Sequence, residues 1–164
     1  MSISAQEKEK SSPFYLQLFG IIKEINIENG KSKLVKLEGA IVEVIDSDNK
    51  EIFHGVYDAK KRLAIKLPLS QNFTVIVSKE GYVSKCFVVN TIVANQKLSV
   101  YNFPFEVILF KKIEDLNVEI VDPVAIVQFF SKESKFDYDY EYTEQINAIL
   151  KQKYQEYYIT EDPK

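Results

Sequence analysis

Between Phe14 and Phe110 the chain is a succession of short runs rich in β-branched and aromatic residues, cut by polar turns. No helical period appears between residues 14 and 112. That excludes alternating strand–helix units and leaves antiparallel all-β architectures. The first run carries Leu16, Leu18, Gly20 and Ile22 at alternate positions and ends near Ile27. A polar turn with an Asn29-Gly30 signal follows. Further strands are expected at 40–45, 52–57, 62–67, 73–78, 82–89 and 105–110. Asp46 to Lys50, Pro68 and Lys79-Glu80-Gly81 stand between them as breaks. Seven short strands at this spacing predict a β-sandwich.

The last third of the chain is different. Residues 1–113 hold 16 Lys+Arg and 12 Asp+Glu, a net of +4, and residues 114–164 hold 5 and 12, a net of −7. Six of the ten tyrosines also lie in this tail. The break divides the chain into an arm (residues 1–13), a sandwich (14–113) and an acidic, Tyr-rich extension (114–164). Within the extension, Pro123 to Phe130 reads as one more strand. Tyr142, Ile146, Ile149, Leu150 and Tyr157 recur at helical spacings. Such a helix is marginal alone, so it is expected to dock on the sandwich or on a partner.

With 46% apolar and 27% charged residues the chain has a globular composition. A formal net charge of −3 argues against nucleic acid as a partner. No apolar stretch is long enough to span a membrane as a helix. The single cysteine, Cys86, excludes an intrachain disulfide and reads as a small packed residue. At the N-terminus, Ser2-Ile3-Ser4-Ala5-Gln6 before Glu7-Lys8-Glu9-Lys10 has two readings: a solvated arm, or the remnant of a secretory signal.

Three pieces of residues 34–90 resemble the carboxypeptidase regulatory-like domain, a transthyretin-like β-sandwich. Leu37-Glu38-Gly39-Ala40-Ile41-Val42-Glu43-Val44 is similar to the family's opening run. Asp58-Ala59-Lys60-Lys61-Arg62-Leu63-Ala64-Ile65-Lys66-Leu67-Pro68 is similar to its central stretch. Phe73 to Tyr82 is similar to its closing strand and turn. The order and spacing match, but Lys61 replaces a glycine and Leu63 an aromatic residue. The resemblance implies a seven-stranded antiparallel sandwich, here with a C-terminal strand and helix. Phe103 to Phe110, Pro123-Val124-Ala125, Phe136-Asp137-Tyr138-Asp139 and Tyr142 are also similar to small envelope proteins of gliding, type IX-secreting bacteria. That likeness implies a periplasmic or outer-membrane-associated place, with a cytoplasmic one also open. The partners it implies are other envelope proteins, with peripheral association to the outer membrane.

Residues that carry chemistry are sparse. His54 is the only histidine, so a zinc site would need carboxylates to complete it. No Gly-x-Ser-x-Gly elbow and no Gly-rich phosphate loop is present. Asp46, Asp48 and Asn49 offer hard oxygen ligands, but without the glycine and helices of a calcium loop they read as a hairpin turn. Asp137, Asp139 and Glu141 alternate with Tyr138, Tyr140 and Tyr142. An extended segment of that kind puts acids on one face and rings on the other, and Tyr138 and Tyr140 are its candidate ligand face. Lys60-Lys61-Arg62 is a basic turn able to receive an acidic partner.

These readings lead to the expectation of a chain that is not an enzyme and needs no metal or cofactor. Its expected work is protein–protein contact in an envelope assembly linked to secretion or gliding, through Tyr142, Ile146, Ile149 and Tyr157. A carbohydrate-binding module is the alternative, because exposed tyrosines on a sandwich can stack on sugar rings.

Overall fold

Alternation along the runs becomes strands with one face turned inward. The computed structural model describes residues 12–94, 97–114 and 119–153. Its elements are β1 (Tyr15–Glu28), β2 (Lys31–Lys36), β3 (Ile41–Asp46), β4 (Glu51–Val56), β5 (Leu63–Pro68), β6 (Asn72–Ser78), β7 (Lys85–Asn90), β8 (Val100–Leu109), β9 (Ile126–Phe130), β10 (Lys135–Tyr138) and the helix α1 (Tyr140–Lys153). The chain is mainly β, with two sheets arranged as a sandwich.

The first sheet is organised on the long strand β1. Its first half, Tyr15 to Gly20, pairs with β5, and its second half, Lys23 to Glu28, pairs with β2. Along the opposite edge β8 runs parallel to it from Tyr15 to Glu24. The second sheet has the order β10-β9-β7-β6-β3-β4. Between the sheets lies one core. Leu16, Leu18, Ile22, Ile65, Leu67, Phe103 and Phe105 meet Val42, Val44, Phe73, Val75, Val77 and Phe87 there. Phe87 and Phe105 touch across it with ring centroids 5.0 Å apart. Gly20 makes room for this contact: a Cβ there would lie 2.3 Å from the Phe105 ring. Side chains of this size each contribute roughly 1.5–3 kcal/mol when fully buried.

Two features correct the expected seven-stranded antiparallel sandwich. The region from 14 to 112 contains eight strands, because Lys31–Lys36 pairs with β1 across the Asn29-Gly30 turn, where both residues take positive φ (53° and 75°). β2 has almost no buried face, so no apolar alternation announces it. The β1–β8 and β7–β9 pairs are parallel, which requires long crossovers rather than hairpins.

At Lys61 the turn needs no glycine. Lys61 N–H donates to Asp58 O at 3.0 Å and Asp58 Oδ1 accepts the Lys60 N–H at 2.9 Å. Lys61 is not among the residues with positive φ.

The tail is tied to the sandwich. β9 pairs with β7 at Val88–Ile126 and Val89–Val127, and β10 closes a hairpin on β9. α1 starts where Asp139 caps it, its Oδ1 accepting the Tyr142 N–H at 3.1 Å. The helix buries Ile146 and Leu150 in a second cluster with Val83, Phe110 and Ile120. Among the described residues no helix is long and apolar enough to cross a membrane.

Candidate functional site

The helical stripe is divided by the fold. Ile146 is only 6% exposed and faces the sandwich, while Ile149 is 56% exposed. The Tyr142 hydroxyl donates to Pro123 O at 2.6 Å, and burial pushes its pKa up, with Asp122 adding to the shift. Tyr157, the fourth expected contact residue, lies outside the described residues, as does the arm from 1 to 11. At Ile146 the sandwich covers the stripe, because an apolar side chain on a marginal helix is stabilised by the nearest apolar surface.

The tyrosines of the expected ligand face are also separated. Tyr138 packs edge-on against Phe103, with centroids 5.0 Å apart, and burial raises its pKa. Tyr140 is exposed, and its hydroxyl donates to Asp137 Oδ1 at 3.1 Å, which raises its pKa. The two rings stand 6.4 Å apart at 71°, so they do not form one flat platform.

A different surface gathers half-buried apolar residues. On the outer side of the second sheet, register places Ile45, Thr74, Val88 and Ile126 in one row and Glu43, Ile76 and Cys86 in the next. Ile41 stands beside Ser78. All of these are half-buried and alternate with fully buried neighbours on the same strands. Ile41, Ile45, Ile76, Val88 and Ile126 therefore share a sheet face outside the core. Sequence alternation marks each strand as two-sided, but only pairing joins these residues into a patch. Cys86 Sγ donates to Val121 O at 3.8 Å, and burial raises its thiol pKa, with Asp122 adding to the shift.

At the open edge of this sheet, His54 faces Glu43 across the β3–β4 pair. A bulge between Val44 and Ile45 brings Glu51 to the same side. His54 Nδ1 lies 3.4 Å from a carboxylate oxygen of each. These are the described residues that could hold a metal ion, and they are also an ordinary surface ion-pair set. Asp46 behaves as a turn residue. Its Oδ1 accepts the N–H groups of Asp48 and Lys50, at 2.9 and 3.0 Å.

At the edge of the first sheet, where β1 passes from β5 to β2, a cleft of about 340 Å³ is lined by Phe19, Ile21, Lys36, Lys60, Lys61, Arg62 and Pro104 and reaches the core residues Tyr57 and Phe105. The Arg62 guanidinium lies 3.7 Å above the Phe19 ring, and Lys66 Nζ lies 4.7 Å above the Tyr15 ring. The basic turn 60–62 was visible in the sequence. Its apolar floor was not, because Phe19 and Pro104 are far from it along the chain.

What the fold and these surfaces define is a mainly β sandwich with an apolar face on one sheet and a basic cleft on the other. No family model matches the chain, and no curated protein is similar to it in sequence. Solved structures that it resembles include 3-chlorocatechol 1,2-dioxygenase from Rhodococcus opacus 1CP (13% identity, TM-score 0.43, 64% of this chain and 62% of that one). Another is catechol 1,2-dioxygenase from Acinetobacter sp. ADP1 inhibited by bound mercury (12%, 0.44, 71% and 59%). A third is S.CueP (15%, 0.33, 60% and 63%). The chain spans about three fifths of the length of each. Against the expectation that the chain is not an enzyme stands the finding that two of these structures are dioxygenases. At such low similarity they assign it no reaction.

Proposed function

We propose that this chain works through protein–protein contact in a bacterial cell-envelope assembly, in the setting of secretion or gliding that its sequence resemblance implies. The finer reading of the sandwich as a carboxypeptidase regulatory-like, transthyretin-like domain belongs to the same proposal. It is supported by the three sequence motifs, whose Gly39 and Gly81 both take positive φ (81° and 83°). A periplasmic or outer-membrane-associated place goes with it.

The observation that carries the proposal is the outer face of the second sheet. Ile41, Ile45, Ile76, Val88 and Ile126 form an apolar patch that Glu43 and Thr74 interrupt and that His54, Ser78 and Gln128 edge. Apolar centres with polar rims are what contact surfaces present. A carbohydrate-binding role has less support, since the Tyr138 ring and the Tyr142 hydroxyl are engaged within the chain.

The test is Ile76→Glu, which puts a charge at the middle of the patch. The tagged chain is expressed in its own cells, and the envelope fraction is run on a native gel. The wild type is expected in a larger complex, and the variant, with an unchanged melt, as the free chain. Identical migration of the two would remove this face from the proposal.

A further inference from the structure

Four cations line the cleft on the first sheet. Lys36, Lys60, Lys61 and Arg62 converge on it, and no carboxylate lines it. Among the described residues none of the four is in an ion pair. Three acids lie beside residues that line it, each held by a hydrogen bond or ion pair. Glu38 accepts the Ala59 N–H at 2.7 Å, Asp58 accepts that of Lys60 at 2.9 Å, and Glu106 pairs with Lys23 at 2.9 Å. The Arg62 guanidinium lies 3.7 Å over the Phe19 ring, a contact that leaves its N–H donors unused.

The form of the surface favours an extended ligand over an enclosed small molecule. All four cations are exposed, whereas small-molecule pockets bury most of their ligand. A second stack, Lys66 on Tyr15, lies four residues along β1 from the first. Four residues of strand span about 13 Å, and an extended peptide presents side chains on one face every ~7 Å. Acids at alternate positions of such a peptide match the spacing of the two stacks, and Phe19, Ile21 and Pro104 give its backbone an apolar bed. We propose that this cleft binds an extended acidic segment of a partner protein, with Arg62, Lys60, Lys61 and Lys36 as the carboxylate donors. This rests on the protein-contact reading above and names the chemistry of one partner.

A labelled nine-residue peptide alternating Glu with Thr is titrated into the full chain by fluorescence anisotropy, beside the same peptide with Gln for Glu. The acidic peptide is expected to bind, weakening with added salt, and to lose affinity by about tenfold or more in the double variant Lys60→Gln, Arg62→Gln. Deleting residues 154–164 is expected to leave binding unchanged. Equal binding of the Gln peptide, or unaltered affinity in the double variant, would overturn the proposal. So would displacement by inorganic phosphate at peptide-like concentration, which would mark a simple anion site. A large gain in affinity on deleting 154–164 would make the chain's own tail the occupant and overturn it equally. The Ile76→Glu result is independent of all these outcomes, so the cleft can fail while the contact face stands.

Discussion

Replacing Ile146 by alanine separates docking of α1 from any role as a free surface. Ile146 is 6% exposed, so nearly all of its side chain leaves water on docking. Removing a buried Ile to Ala costs roughly 2–5 kcal/mol, including the cavity left behind. α1 has 14 residues and would be marginal alone. Its main anchors are Ile146, Leu150 and the Tyr142 hydroxyl on Pro123 O. A loss of that size is comparable to everything that holds the helix down. The helix should therefore open locally while the sandwich core, which lies between the sheets, stays closed. A local cost of about 3 kcal/mol corresponds to faster opening by a factor of about 100, read as amide exchange over residues 140–153. Ile149→Ala is the control. Ile149 is 56% exposed, and its truncation should change stability by less than about 0.5 kcal/mol. If the two variants exchange alike, or if Ile149→Ala is the more damaging, the docking described here is wrong.

Two further outcomes test the fold's polar anchors. Thr91 is fully buried; its Oγ1 lies 2.8 Å from Pro68 O and accepts the Gln71 N–H at 3.1 Å. Thr91→Val keeps the shape and strands those groups, at about 1–3 kcal/mol each. The melting temperature should fall by about 5–10 °C, and a fall of under ~1 °C would show the network to be dispensable. The Tyr82 hydroxyl donates to Glu24, and burial, then that bond and the Glu24 charge, push its pKa up to about 12. A raised tyrosine pKa means stability that is complete below the unfolded value near 10 and is lost as pH rises through 12. Wild type should exceed Tyr82→Phe in stability below pH 10, with the difference closing between 10 and 12. A difference independent of pH would count against the bond.

Much was legible in the one-dimensional pattern. The runs at 40–45, 52–57, 62–67 and 73–78 coincide with β3 to β6 because each strand's inner residues are apolar and every turn has its own chemistry. The helix after Tyr140 was legible for the same reason, as was the split between a basic body and an acidic tail. The strand β2 was not: it is almost wholly exposed, and only its pairing with the extended half of β1 holds it. Nor were the parallel β1–β8 and β7–β9 pairs, because alternation says which face is buried and is silent on which strand lies beside it. The functional surfaces belong to this second kind. Ile45, Ile76, Val88 and Ile126 are unremarkable in sequence and become a patch only through the register of four strands. Phe19, Lys36, Arg62 and Pro104 meet only because β1 carries β2 and β5 on one edge and β8 on the other. Local pattern determines the elements, through side-chain burial and turn geometry. Tertiary structure alone decides the sites, because each depends on contacts between residues that the chain keeps far apart.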